Sequence, residues 1–271
     1  MKETLTRSLT GVAFVGLVIL SLVLHPISYL VLFSLISALA WMEFTRLFPD
    51  RLSQGMKVGG LLFITGCFLW VFFIADGTLS APWLLVLPAA LLVLAMLDGI
   101  TNPSPRRSLP VLIASVVYLS AGFSSMHCLA FLPGTHTAYS PRWILFTFYF
   151  LWMNDTLAYV SGRLAGKHPM WPRVSPSKTW EGALGGCLFT LALAFVLSRF
   201  YPLLSPWEWI GFAMVVVLSG TLGDFFESWI KRKAGVKDSG HLLPGHGGVL
   251  DRFDSALLAM PFAVIFLYFA L

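Results

Sequence analysis

Acidic side chains at a repeated spacing lie near the end of this 271-residue chain, where they could bind cations. Asp224 and Glu227 are three residues apart, and Asp251 and Asp254 repeat that spacing at the start of the last apolar run. Residues three apart share one face of a helix, so two helix ends would each present two carboxylates. Mg²⁺ binds through one or two carboxylates plus phosphate oxygens. The spacing is compatible with a cation site, but for an acid pair alone neutralisation of the neighbouring bases is the simpler interpretation.

The segment between the two acid pairs carries basic residues and a glycine-rich turn, Leu-Pro-Gly-His-Gly-Gly over residues 243–248. Glycines permit positive φ, and successive backbone N–H groups in such a turn can form an anion nest. His241 and His246 could instead bind zinc. No thiolate lies nearby, and the remaining ligands would be carboxylates, which suit magnesium equally well.

A second polar segment, residues 162–182, is rich in basic and hydroxyl side chains. Its polar residues are Arg163, Lys167, Arg173, Ser175, Ser177, Lys178, Thr179 and Glu181. Prolines at 169, 172 and 176 oppose helix, which predicts an exposed irregular loop. Such a loop could set topology and attract anionic lipid, or it could hold substrate phosphates.

Two further acids lie inside apolar runs, where charge is costly and usually functional. Asp155 follows about ten apolar residues and is predicted to be internal. Glu43 is three residues from Arg46, so a structural ion pair is the simpler interpretation. The cysteines, Cys67, Cys128 and Cys187, are far apart in apolar runs and are interpreted as small core residues.

The amino-acid composition indicates which kind of protein must position these residues. The chain is 57% hydrophobic and 11% charged, with a mean hydropathy of +0.80. A soluble domain is about 25% charged, so a water-soluble core is excluded. The net charge of +5 does not indicate nucleic acid, because the bases lie in short gaps between apolar runs.

Nine apolar stretches approach the roughly 20 residues that a membrane span needs. They cover about 9–24, 27–45, 58–75, 83–98, 109–132, 143–162, 182–200, 208–227 and 253–271. His25-Pro26 alone separates the first two, which predicts a tight hairpin. The chain is therefore predicted to be an all-α, polytopic transmembrane bundle of about nine helices.

Charge predicts the orientation of this bundle. With the N-terminus inside, all Lys and Arg residues except Arg142 and Arg199 fall in cytoplasmic segments, as the positive-inside rule requires. The C-terminus then lies outside, and both polar segments face the cytoplasm. We expect one integral membrane domain, 1–271, in which helices within about 1–140 are mainly scaffold and residues 143–271 form the catalytic part.

The polar residues near the C-terminus resemble the signature of phosphatidate cytidylyltransferases (CDP-diacylglycerol synthases). The matching positions are Ser228, Lys231-Arg232, Lys237-Asp238, Pro244, His246-Gly247-Gly248, Asp251-Arg252 and Asp254. They cover about a tenth of the chain at fixed spacing. Asp155, Ser175-Pro176-Ser177-Lys178 and Glu181-Gly182 are similar to the family as well.

The resemblance implies transfer of the cytidylyl group of CTP to phosphatidate, for phospholipid biosynthesis, with Mg²⁺ at two cation positions. Asp224 and Asp251 would bind metal, with Glu227, Asp238 and Asp254 as further ligands or supporting groups. Asp224, Asp251, Lys178 and Lys237 are the expected catalytic residues. Phosphate binding is expected from Ser175, Ser177, Lys178, Arg232, Lys237, His246, Gly247, Gly248 and Arg252, with Asp155 and Glu181 in supporting roles.

The expected partners are CTP, phosphatidate and the bilayer of the cell inner membrane, with no nucleic acid; a homodimer is left open. Two alternatives stay open at this point. One is a CTP-dependent enzyme on another lipid, a polyprenol kinase or an archaeal-lipid cytidylyltransferase. The other is a secondary transporter, because buried acids and broken helices also mark ion pathways.

Overall fold

The structure, a computed structural model, describes residues 2–101, 105–132, 138–240, 242 and 247–271. Within these residues nine α-helices make up most of the chain. They are α1 (Lys2–Leu24), α2 (Pro26–Leu47), α3 (Gln54–Ala75), α4 (Val86–Thr101), α5 (Pro105–Ala130), α6 (Arg142–Ala165), α7 (Trp180–Phe200), α8 (Pro206–Lys233) and α9 (Leu250–Ala270). A short 3-10 helix, Ala81–Leu85, precedes α4. The predicted all-α bundle of about nine helices is confirmed.

Seven segments of the described chain are long and apolar enough to cross a membrane: α2, α3, Ala81–Ile100, Ser108–Ala130, α7, α8 and α9. The apolar part of α1, Thr10–Leu24, is shorter. The helix α6 carries Asn154 and Asp155 within its apolar run and is not among the seven. Large apolar side chains such as Leu85 (74% exposed) cover the outer surface, as expected of side chains that face lipid. The protein is therefore a multi-pass membrane protein.

The hairpin between α1 and α2 is confirmed. Helix α1 ends at Leu24 and α2 begins at Pro26, with His25 in extended backbone between them. The His25 side chain accepts a hydrogen bond from the Ile27 N–H at 3.2 Å and so caps α2. Proline suits the first position of a helix because the N–H that it lacks would have no helical partner there.

The segment between α6 and α7 is not the irregular loop that the prolines predicted. Two antiparallel strands, β1 (Pro169–Trp171) and β2 (Ser175–Thr179), form a hairpin there. The prediction was wrong because proline opposes helix but is tolerated in extended backbone at the edge of a sheet. The hairpin places Lys178 of β2 beside α8.

Aromatic packing makes α9 the centre of the bundle. The buried ring of Phe253 lies 5.7–6.0 Å from the rings of Phe14, Phe33, Phe123 and Phe148, which come from α1, α2, α5 and α6. Aromatic pairs at such separations add stability beyond the area that they bury. Four helices therefore hold the first turns of α9, which carry Asp251 and Asp254, in place.

The predicted environment of the cysteines is only partly confirmed. Cys67 is buried, whereas Cys187 is half-buried and Cys128 is exposed. The interpretation of all three as core residues was wrong for Cys128, because an apolar run in a membrane helix can face lipid as readily as protein.

Candidate functional site

Helices α8 and α9 approach closely at the level of the predicted acids. A Cβ on Gly223 would lie 2.6 Å from the Asp254 carbonyl oxygen, so the backbones could not pack this tightly around a side chain. The Tyr118 hydroxyl of α5 donates to the same carbonyl at 3.3 Å. This crossing brings the carboxyl groups of Asp224 on α8 and Asp254 on α9 close enough to interact electrostatically.

Asp224 is joined to the β-hairpin. Its Oδ2 forms an ion pair with Lys178 Nζ of β2, and its Oδ1 accepts from Ser228 Oγ at 3.3 Å. Lys178 also lies over the Phe225 ring, 4.9 Å from the centroid. Both charged side chains keep partial exposure, 30% for Lys178 and 23% for Asp224, so the pair remains accessible to a ligand.

Asp251 belongs to a second, more buried cluster. Lys231 Nζ donates to Asp251 Oδ1 at 2.7 Å and also forms an ion pair with Glu227, four residues before it on α8. The backbone N–H of Gly248 donates to Asp251 Oδ2 at 2.7 Å, and that of Ser239 donates at 3.0 Å. Two carboxylates thus share one ammonium group, which offsets part of the repulsion between them.

Asp155 lies on α6 near the first pair. The prediction that Asp155 is internal is not confirmed, because its side chain is exposed. The side chain interacts electrostatically with Lys178, Asp224 and Arg252. Acidic and basic side chains from four elements, α6, β2, α8 and α9, therefore lie near the crossing of α8 and α9. The sequence prediction that Asp155 supports the loop lysines fits this position and stays a prediction.

The remaining residues of the predicted site, which include the supporting Glu181 and the candidate metal ligand Asp238, differ in their surroundings. Arg232 Nε donates to the Val174 carbonyl at 3.2 Å and so ties α8 to the β-hairpin. Glu181 accepts from the N–H groups of Lys167 at 3.0 Å and His168 at 3.2 Å, which fixes the start of the hairpin. The side chains of Ser177, Lys237, Asp238 and Arg252 are exposed, and Ser175 is half-buried.

The glycine turn is described only in part. His246 and His241 lie outside the described residues, so the roles predicted for them are not addressed by the structure. Gly247 has φ +77°, in the left-handed region that favours glycine. The Gly248 N–H donates to Asp251. Phosphate binding by this turn stays a prediction.

Two sequence expectations about geometry were wrong. Asp224 does not lie at a helix end: α8 continues to Lys233, about 14 Å further at 1.5 Å per residue. The Lys231–Glu227 pair at i,i+4 supports the extra turns. Glu43 does not form an ion pair with Arg46 in the described structure; it accepts hydrogen bonds from the N–H groups of Val249 and Leu250 at the start of α9.

Two residues of the site were missed from the sequence. Lys231 was named only as a matching position of the family signature and was given no role, although its spacing from Glu227 was the available signal. Glu43 was interpreted as part of a structural ion pair. Its position inside an apolar run was the only signal for a role in the site.

The donor set is compatible with divalent cations that also bind substrate. No group of three or more His, Cys, Asp or Glu side chains close enough to hold a metal occurs in the described residues. Glu227 Oε1 is buried and lacks a hydrogen-bond partner there, so one acceptor remains unused. Carboxylates in ones and twos suit Mg²⁺, which keeps other positions for water and phosphate oxygens.

Comparison with known proteins places the chain in a family. The sequence model of the cytidylyltransferase family matches residues 5–270. A protein named phosphatidate cytidylyltransferase from Staphylococcus epidermidis is 48% identical over 127 residues, which are 46% of this chain and 49% of that protein. Proteins of the same name from Staphylococcus haemolyticus and Staphylococcus aureus are 42% and 40% identical over 156 residues, or 57% of each chain. The matched part thus spans about half the length of these curated relatives. Because the family model covers nearly the whole chain, the protein belongs to the cytidylyltransferase family.

Proposed function

We propose that this protein transfers the cytidylyl group of CTP to phosphatidate, giving CDP-diacylglycerol and pyrophosphate for phospholipid synthesis. The observation that carries the proposal is the crossing of α8 and α9 in a membrane bundle, where Asp224 pairs with Lys178 and Asp251 pairs with Lys231. Family membership and the names of the relatives support this choice of substrates.

In the proposed reaction, a phosphatidate phosphate oxygen attacks the α-phosphorus of CTP. The new phosphorus–oxygen bond forms as the bond to the bridging oxygen of the β-phosphate breaks, and pyrophosphate leaves with that electron pair. The second pKa of a phosphate monoester is about 6, so the nucleophile is largely dianionic at neutral pH and needs little help from a base. The main obstacle is repulsion between the two anions.

Catalysis would therefore consist of positioning and charge neutralisation. Lys178, partly exposed beside Asp224, is placed to contact a phosphate. Lys237 and Arg252 are exposed bases in or beside the segment between α8 and α9 and would attract the triphosphate. Asp224 and Asp251, with Glu227, Asp238 and Asp254 as further candidates, would hold Mg²⁺, which neutralises phosphate charge when bound.

The site would face the cytoplasm of a bacterial cell, in the inner membrane. The distribution of Lys and Arg supports this orientation, with the N-terminus inside and the C-terminus outside. Phosphatidate keeps its acyl chains in the bilayer and its phosphate at the interface, whereas CTP arrives from water. A site formed by membrane helices and short polar segments gives both substrates access at one depth.

Purified protein in nanodiscs with phosphatidate, CTP and Mg²⁺ tests this function. We expect CDP-diacylglycerol and pyrophosphate to appear in equal amounts, to stop with chelator and to resume with added Mg²⁺. Incubation with polyprenol or an archaeal-type lipid in place of phosphatidate tests the alternative acceptors. Turnover of those lipids alone would overturn the proposed substrate, and substrate flux across liposomes without CTP would favour a transporter.

Replacement of Lys178 by alanine should weaken substrate use. The side chain would supply one charge-assisted contact worth about 1.5–3 kcal/mol, so kcat/KM for CTP should fall about 10- to 100-fold, chiefly through KM. Lys167→Ala is the matched control, because it removes an equal charge from an exposed position before the same hairpin. Wild-type kinetics in Lys178→Ala would reduce residues 162–182 to a role in topology.

A further inference from the structure

Glu43 of α2 is a buried acid outside the predicted site, only 3% exposed. Its carboxylate accepts three hydrogen bonds from a distant segment. The Val249 N–H donates to Oε1 at 2.9 Å, and the Leu250 N–H donates to Oε2 at 2.8 Å. Ser239 Oγ donates to Oε2 at 3.2 Å. Glu43 therefore contacts the segment that joins α8 to α9 at Ser239 and again where α9 begins.

Two glycines make room for this carboxylate. A Cβ on Gly240 would lie 2.6 Å from Glu43 Oε1, and a Cβ on Gly248 would lie 2.4 Å from Glu43 Oε2. Real Cβ atoms do not approach an oxygen so closely, so any larger residue would displace the carboxylate or the backbone. The lack of side chains at these two positions is thus explained by Glu43 as well as by turn geometry.

The segment that Glu43 holds also supplies the backbone donors to Asp251. Ser239 donates its hydroxyl to Glu43 and its N–H to Asp251, at 3.0 Å. Gly248, directly before the anchored Val249, donates its N–H to Asp251 at 2.7 Å. Movement of the anchored segment would therefore change the two backbone donors that orient the Asp251 carboxylate.

We infer that Glu43 is a positioning residue of the catalytic centre, which sets the geometry of Asp251 through Ser239 and Gly248; this rests on the proposed function. Glu43 is not among the residues expected to contact substrate, and it acts only through the anchored segment. Part of the centre is then supplied by α2, in the half of the chain that the sequence assigned mainly to scaffold.

An alternative is that Glu43 is only a helix cap that stabilises the fold. Glu208 is a matched control for this alternative. Its side chain accepts a hydrogen bond from the Ser205 N–H at 2.7 Å in the capping box of α8. This cap lies at the opposite end of α8 from Lys231. Loss of a cap lowers stability without changing a distant site. Glu43→Gln and Glu208→Gln make the same chemical change at the two caps.

The test compares these variants with the wild type in nanodiscs. Each Glu43 oxygen accepts a backbone N–H, so the amide of Gln must turn its NH₂ group toward a donor. We expect Glu43→Gln to lower kcat/KM about 10- to 100-fold and to raise the Mg²⁺ concentration for half-maximal activity about 10-fold. Hydrogen exchange at the amides of residues 239, 248, 249 and 250 should accelerate, while Glu208→Gln should leave all these quantities unchanged. Glu43→Asp, which keeps the carboxylate, should recover part of the Mg²⁺ response.

Unchanged kinetics and unchanged amide exchange in Glu43→Gln would overturn the inference, as would an equal loss in Glu208→Gln. If Glu43→Gln does not fold, Glu43→Asp decides: a wild-type Mg²⁺ response would overturn the inference and a weakened one would support it. Failure of the proposed function is distinguishable, because the wild type would then make no CDP-diacylglycerol while amide exchange would still report the anchor.

Discussion

Asp251→Asn is expected to lower CDP-diacylglycerol formation about a thousandfold or more, which corresponds to about 4 kcal/mol of transition-state stabilisation. Asp251 accepts from Lys231 and Ser239 at Oδ1, and from Ser239 and Gly248 at Oδ2. Asparagine has one acceptor oxygen, so either orientation of its amide turns an NH₂ group toward a donor. The variant would also lose the negative charge proposed to hold Mg²⁺.

The measurement is product formation at saturating CTP and Mg²⁺, with a size-exclusion profile in detergent as the test of folding. Asp50→Asn is the matched control, since it makes the same acid-to-amide change at an exposed position after α2. The control should retain wild-type activity. A folded Asp251→Asn protein with wild-type turnover would remove this residue from the metal assignment.

Asp224→Asn is expected to cause a loss of similar size for a different reason. Asp224 meets Lys178 and Ser228 and is more exposed than Asp251, so a cation could reach it directly from the substrate side. Loss of its charge would leave Lys178 without its ion-pair partner as well. Turnover should fall about a thousandfold, within the range that metal-assisted charge stabilisation supplies.

Thermal unfolding gives a second measurement for Asp224 that does not depend on turnover. A ligand that binds only the folded state raises the unfolding temperature, so Mg²⁺ with CTP should stabilise the wild type. Asp224→Asn should lose this shift, whereas Asp50→Asn should keep it. An unchanged shift together with retained turnover would mean that the acids on α8 only neutralise nearby lysines.

The helices and the acidic faces could be predicted from local sequence. A run of about 20 apolar residues crosses the bilayer because each helical residue advances 1.5 Å. The placement of Glu227 beside Lys231 follows from helix periodicity. The β-hairpin was not predicted, because its prolines exclude helix without specifying which extended residues will pair.

The sequence by itself determined the membrane class of this protein, its helices and the acids and bases available for chemistry, since these depend on composition and on periods of a few residues. Only the tertiary structure decided that Lys178 meets Asp224, 46 residues away, and that Glu43 holds the start of α9, more than 200 residues away. Those contacts depend on how the helices pack side by side around Phe253, and no local period of the chain encodes that arrangement.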